Sequence, residues 1–187
     1  MKVIADLQIH SKYSRAVSPQ MTIPFIWQWA KRKGINLMAT GDWTHPLWMR
    51  EIKANLTEDG SGLLKLKSQN SNLKNDKDNI DNKWNENNNS DILNPKFLLV
   101  TEVSSIYSQG GKGRRVHTLI WTPTLDSADK ITKELIKRGS NLHSDGRPII
   151  GLSSIEVAEL VFTIDPTSLI IPAHCLLPDS FLIGKDN

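Results

Sequence analysis

Along the first half of this chain, apolar residues come in short runs, each leading into a polar loop, with helix-spaced apolar positions between them. Residues 2–10, with Val3 and Ile4 near their start, read as a buried strand running into a loop, and Leu37, Met38 and Ala39 lie in a second strand over 36–41. Between them, Ile23, Ile26 and Ala30 share one face of a helix that Thr22 caps and Gly34 stops, with Trp27 and Trp29 at its flanks. Pro46 starts another helix running to about Leu56. Strand, helix, strand, helix is the order of parallel βα units.

Residues 68–94 break the pattern. Asn, Asp, Lys and Ser dominate there, Asn87-Asn88-Asn89 lies near the end, and little is available to bury, so the composition predicts a disordered loop insertion. Order resumes with a strand over 97–102. Ser104–Tyr107 and Arg114–Trp121 then flank Gly110-Gly111-Lys112-Gly113, which predicts a β-hairpin with a glycine-rich turn. A helix follows from about Ser127 to Arg138, buried through Ala128, Ile131 and Leu135 and ended by Gly139. Residues 140–152 read as a loop, Ser153-Ser154-Ile155-Glu156 as a capping box opening a further helix, and 168–172 as a last strand. From Cys175 to Asn187 the chain is too short for another βα unit. The expected fold is therefore an α/β half-barrel, or a fragment of a barrel.

Composition narrows the picture only modestly. A length of 187 residues predicts one domain, and 39% apolar with 23% charged residues is ordinary for a water-soluble protein. The net charge of +3 fits a nucleic-acid or phosphate-ester partner without demanding one. The single cysteine, Cys175, excludes an intrachain disulfide and points to a reducing, cytoplasmic setting. No apolar stretch approaches the roughly 18 residues of a membrane span, and the strand pattern begins too early for a signal peptide. A Gly-x4-Gly-Lys-Ser/Thr phosphate loop is absent, so nothing supports ATP-driven chemistry.

Candidate chemistry collects where the strands end. The first leads to Asp6 and His10, the second to Asp42 and His45, the third to Glu102, and the last to His174. The C-terminal ends of parallel strands share one rim, so these side chains, with His117, are expected to meet as a metal-ligand set. Imidazole nitrogens and carboxylate oxygens suit divalent cations, and one carboxylate can bridge two of them. His143, in a polar loop, reads as a surface residue. Cys175 has no second cysteine near it and stays outside the set.

Several of these stretches resemble one family. Residues Ala5-Asp6-Leu7-Gln8-Ile9-His10-Ser11-Lys12-Tyr13-Ser14-Arg15-Ala16 are similar to the opening of the PHP-domain proteins of the endonuclease Q family. So are Thr40–Pro46, Thr101–Tyr107, Ser144–Ile149 and Ile171–His174, in family order and over nearly the whole chain outside the Asn-rich insertion. The resemblance, to the N-terminal part of such proteins, implies a distorted, here incomplete, β/α barrel of PHP type forming a partial metal-dependent phosphoesterase domain over 1–187. It implies His10, Asp42, His45, Glu102, His117 and His174 as metal ligands, with Asp42 and Glu102 catalytic and Glu102 bridging. The cofactors implied are divalent metal ions, zinc first, with magnesium or manganese as alternatives. The activity implied is hydrolysis of DNA 5′ of a deaminated base or an abasic site, the metals acidifying water, clamping the phosphate and stabilising the leaving oxygen. Arg15, Arg114, Arg115 and Arg147 are candidates for holding phosphate oxygens, and Trp43 or Tyr107 for stacking on a base.

The chain departs from the family at Gln8, which stands where those proteins usually have histidine. An amide oxygen is a poor zinc ligand, so one metal position is expected to be weakened, lost or changed in preference. The C-terminal Asp/His motif of a complete PHP domain is also missing. Two alternatives stay open: a PHP phosphoesterase acting on a small phosphate ester, and a truncated, catalytically dead DNA-binding module.

Overall fold

The computed structural model describes residues 2–67 and 94–174. The insertion expected over 68–94 therefore lies outside the described residues except for Asn94, as do Cys175 and everything after it. The element order is β1 (Ala5–Asp6), α1 (Ile23–Lys33), β2 (Leu37–Ala39), α2 (Pro46–Asn55), β3 (Leu56–Glu58), β4 (Leu64–Leu66) and β5 (Lys96–Gln109). It continues with β6 (Lys112–Thr122), α3 (Leu125–Lys137), β7 (Ile149–Ile150), α4 (Ser154–Ile164) and β8 (Leu169–Pro172).

One mixed sheet organises the molecule. β1, β2 and β5 pair in parallel, β6 runs antiparallel to β5, and β8 antiparallel to β6. β8 thus points the same way as β1, β2 and β5, and the loops that follow β1, β2 and β8 emerge at one rim. Among the described residues β1 and β8 do not pair with each other, so the sheet these strands form is open. The expected mixed α/β class and incomplete closure agree with this arrangement.

Alternation along β5 gives the sheet two different faces. Leu99 and Val103, with Ile120 of β6, pack into the main core beneath the helices, among Ile26, Trp48, Ile52, Ile131, Leu135 and Val157. Val100 and Leu119 face the other way and form a smaller cluster with Ala39, flanked by Ile9, Trp121, Ile171 and Ala173. Glu102 lies on this second face, opposite Leu119 in the register.

The helices end for local reasons. Thr22 stands at the N-cap of α1 in extended conformation, but its side chain makes no capping bond. Glu51 of α2 accepts the Ile23 N–H instead, at 3.1 Å. Gly34 closes α1 in the left-handed region at φ 69°, after Lys31, Arg32 and Lys33 have placed positive charge at the negative end of the helix dipole. The capping box of α4 is complete: Ser153 accepts from the Glu156 N–H, and Glu156 accepts from the Ser153 N–H.

Several expectations need correction. The strand expected to run into a loop within 2–10 is only Ala5–Asp6, and Val3 and Ile4 are about half exposed instead of buried because β1 is, among the described residues, an edge strand bonded to β2 alone. The strand over 97–102 and the first hairpin arm are one continuous β5, since no turn residue interrupts Lys96–Gln109. Helix α3 starts at Leu125, because the Thr124 side chain accepts the Ser127 N–H and makes Thr124 the cap. The loop over 140–152 contains β7, which pairs in parallel with Ser104 and Ser105. The β3–β4 hairpin was not expected at all. No helix among the described residues is long and apolar enough to cross a membrane.

Candidate metal centre

Two sets of contacts fix the loop that follows β2 at the rim. Trp48 of α2 donates its indole N–H to the carbonyls of Thr40 (3.1 Å) and Gly41 (2.8 Å), holding the turn after β2 against the helix. The Thr44 hydroxyl bonds that of Thr101 at 3.1 Å and ties the same loop to β5. Within this clamp Asp42 adopts φ 44°, and beyond β8 His174 adopts φ 59°. Left-handed conformations at non-glycine residues are held only where surrounding structure dictates them, and they concentrate at functional sites.

Glu102 is the hub. It is almost fully buried, and its two oxygens face different neighbours. Gln8 Nε2 donates to Oε2 at 3.0 Å, and His10 Nε2 faces the same oxygen at 3.3 Å. His117 Nδ1 lies 2.8 Å from Oε1, Arg147 Nη1 3.5 Å, and His174 Nε2 3.9 Å. The His117 approach is close but out of line for a hydrogen bond, so His117 Nδ1 and Glu102 Oε1 are both buried without a hydrogen-bond partner. Ligand atoms of Glu102, His117 and His174 all lie within 4.8 Å of one another. Lone-pair atoms that converge without a proton aligned between them fit a shared cation.

Electrostatics support the same arrangement. Burial works to raise the Glu102 pKa, but the hydrogen bond and charge of His10, then Arg147 and Gln8, outweigh it and hold the carboxyl at about 2. Burial pushes the His117 pKa down, and Arg147 adds to this against the pull of Glu102. A neutral imidazole is the form that binds a metal.

Asp42 serves His10. Fully buried, it accepts the His10 Nδ1–H at 2.9 Å, the Ser11 N–H at 2.6 Å and the Ser14 hydroxyl at 2.9 Å. Gly146 packs directly on this carboxylate, and a Cβ there would meet Oδ2 at 2.3 Å. Carboxylates placed behind a histidine in this way fix its ring orientation and leave the far nitrogen aimed at the site. The hydrogen bonds to Asp42 and then Glu102 outweigh burial and raise the His10 pKa to about 9. A histidine whose pKa is raised on folding contributes stability that is complete below its unfolded value near 6.5 and is lost as pH rises through about 9. Urea unfolding of the metal-free protein is therefore expected to show falling stability between pH 6.5 and 9.5. Asp42→Asn should flatten that fall, and NMR titration should find its His10 pKa well below 9.

The remaining expected residues are spread around this centre. His45 is buried, its ring stacked on Tyr13 at 4.4 Å, and it is not among the residues whose ligand atoms converge at Glu102. Burial lowers its pKa, and Nδ1 has no hydrogen-bond partner. His143 is exposed and sets its ring edge-on to His45 at 6.2 Å. Asp6 closes β1 and makes no side-chain hydrogen bond or ion pair among the described residues. Arg15 is 91% exposed and reaches Asp145. Arg115 shares the β6 face of His117, nearer the hairpin tip, while Arg114 and Tyr107 lie on the opposite face. Trp43 is fully buried in the main core, so it offers no face to a base.

Sequence reasoning passed over Ser11, Ser14, Tyr13 and Gly146. All lie inside the stretches that carry the family resemblance, but their roles depend on a packing arrangement that spacing does not encode.

The chain is similar over almost all of its length to solved endonucleases. It matches the crystal structure of the lesion-specific endonuclease PfuEndoQ from Pyrococcus furiosus with a TM-score of 0.70 and 31% identity, covering 96% of this chain and 36% of that one. The chain is endonuclease Q-like. A second endonuclease Q structure, in complex with a 27-mer duplex substrate carrying an abasic lesion at its active site, matches with a TM-score of 0.69 and 32% identity over 94% of this chain. Among curated proteins, an uncharacterized protein of Methanocaldococcus jannaschii is 29% identical over 178 residues, which is 95% of this chain and 17% of that protein. No family model matches. The endonuclease Q-like chain thus spans about a third of the length of its solved relatives.

Proposed function

We propose that this chain carries the metal centre of a DNA-repair endonuclease that hydrolyses the phosphodiester on the 5′ side of a deaminated base or an abasic site. The observation that carries the reading is the convergence of Glu102, His117 and His174, on a fold shared with a lesion-specific endonuclease. The proposal includes a partial PHP-type domain over 1–187, its open sheet forming part of a distorted β/α barrel.

One carboxylate and two imidazoles form a donor set suited to zinc, with manganese or magnesium as alternatives. Such a cation supplies Lewis acidity toward a phosphate oxygen and acidifies water near neutral pH. Glu102 holds the charge of the site, His117 and His174 present nitrogens to it, and Asp42 keeps His10 oriented toward Glu102. Arg147, beside Glu102 and 40% exposed, and Arg115, on the His117 face of β6, are placed to grip phosphate oxygens bidentately.

The test is a nicking assay on an end-labelled duplex containing one uracil or one abasic-site analogue, with Zn²⁺, Mn²⁺ or Mg²⁺. The expected product is a single nick 5′ of the lesion, absent from the undamaged duplex. Phosphate release from a generic monoester without nicking would replace this reading with a small-ester phosphatase. A second reading, lesion binding without cleavage, is favoured by one contact, the Gln8 amide already engaged on Glu102. Retention of the lesion duplex in a mobility-shift assay, with no nick under any cation, selects it.

A further inference from the structure

We infer that this centre binds one divalent cation per chain, on the Oε1 side of Glu102, and that Gln8 is the residue that keeps a second cation off Oε2. The inference rests on the metal-site reading above and concerns how many ions the site takes.

The two oxygens of Glu102 are not equivalent. Around Oε1 stand His117 Nδ1 at 2.8 Å and His174 Nε2 at 3.9 Å, with ligand atoms mutually within 4.8 Å. Around Oε2 stand Gln8 Nε2 at 3.0 Å and His10 Nε2 at 3.3 Å. A glutamine amide has a donor end and an acceptor end, and a buried carboxylate accepts only the donor. The NH₂ of Gln8 therefore faces Glu102, and its carbonyl oxygen faces away.

A cation approaching Oε2 would meet the positive end of an N–H dipole where it needs a lone pair. Turning the amide over would break the Gln8–Glu102 hydrogen bond and offer in return a neutral oxygen, a weak ligand for a borderline-soft ion. His10 alone cannot complete that side: with Nδ1 held by Asp42 it has Nε2 to offer, a single imidazole ligand where Oε1 has two. The Gln8 hydrogen bond thus occupies one of the two lone-pair directions a bridging carboxylate would need. Replacing the amide by an imidazole would supply the missing lone pair, giving Oε2 two histidines as Oε1 already has.

Mn²⁺ binding to the purified chain tests this, with stoichiometry from calorimetry and elemental analysis and coupling from electron paramagnetic resonance. The wild type is expected to take up one Mn²⁺ that His117→Ala loses, with the spectrum of an isolated ion. Gln8→His is expected to take up two, with an exchange-coupled spectrum. Circular dichroism of each variant establishes that it is folded. Two coupled ions in the wild type, or a folded Gln8→His that still takes one, overturns the inference and leaves the metal centre standing. A wild type that takes up no ion sensitive to His117→Ala removes the metal centre itself and the inference with it.

Discussion

Replacing Glu102 by glutamine is expected to abolish the proposed cation binding and lesion-directed nicking while leaving the chain folded. Gln8, His10, His117, Arg147 and His174 all approach this one carboxylate, so no neighbouring group can take over its charge. Residues that merely orient a metal ligand cost roughly 10–100-fold when changed, so the central carboxylate should cost at least about 100-fold in both affinity and rate. Glutamine keeps the volume and some hydrogen bonding, which separates loss of charge from loss of packing. Glu102→Ala should lose the same activity and melt lower, because it also opens a cavity beside His10 and His117. Calorimetric titration with Mn²⁺ and the nicking assay read the two effects. A Glu102→Gln protein that cuts at the wild-type rate would remove Glu102 from the chemistry.

Part of this centre is legible in the primary structure because the loops that follow parallel strands share a rim, although Glu102 sits midway along β5 and not at the strand end the pattern predicts. Glu102 lies on β5 and His174 just beyond β8, two strands that run in the same direction, and His117 joins them through the hairpin register that sets it opposite Ser104. What could not be read is which oxygen each residue faces. Asp42 offers the same carboxyl group as Glu102, yet the turn it occupies directs it behind His10, where Ser11, Ser14 and Gly146 enclose it. His45, the N-cap residue of α2, is carried under Tyr13 instead of toward Glu102. The edge position of β1 was hidden as well, because Val3 and Ile4 look like core residues until their lack of a second neighbour is known.

The second large effect is expected at Gly41. Its φ of 66° lies in the left-handed region, and a Cβ there would come within 2.5 Å of the Ile9 carbonyl oxygen. The obstacle is backbone on both sides, since the Gly41 carbonyl is itself held by Trp48. Gly41→Ala thus combines a disfavoured conformation with overpacking, together on the order of 3 kcal/mol. For a domain of this size that corresponds to a fall in melting temperature of roughly 6–12 °C. Relief by local movement would separate the first and second loops, pulling His10 from Asp42. Gly41→Ala is therefore expected to lose cation affinity even at temperatures where it remains folded. A variant with wild-type melting and wild-type affinity would show that these loops slide past one another freely.

The ligands also differ in how firmly the sheet holds them. Glu102 sits on β5, which is bonded to β2, β4, β6 and β7, whereas His174 follows β8, whose only partner among the described residues is β6. Amides of β5 should therefore exchange with solvent only on global opening, and those of β8 through smaller, more frequent excursions. A cation leaving the centre would then part first from His174, with Glu102 as its last tether, so off-rates should follow the breathing of one sheet edge more closely than the stability of the whole domain.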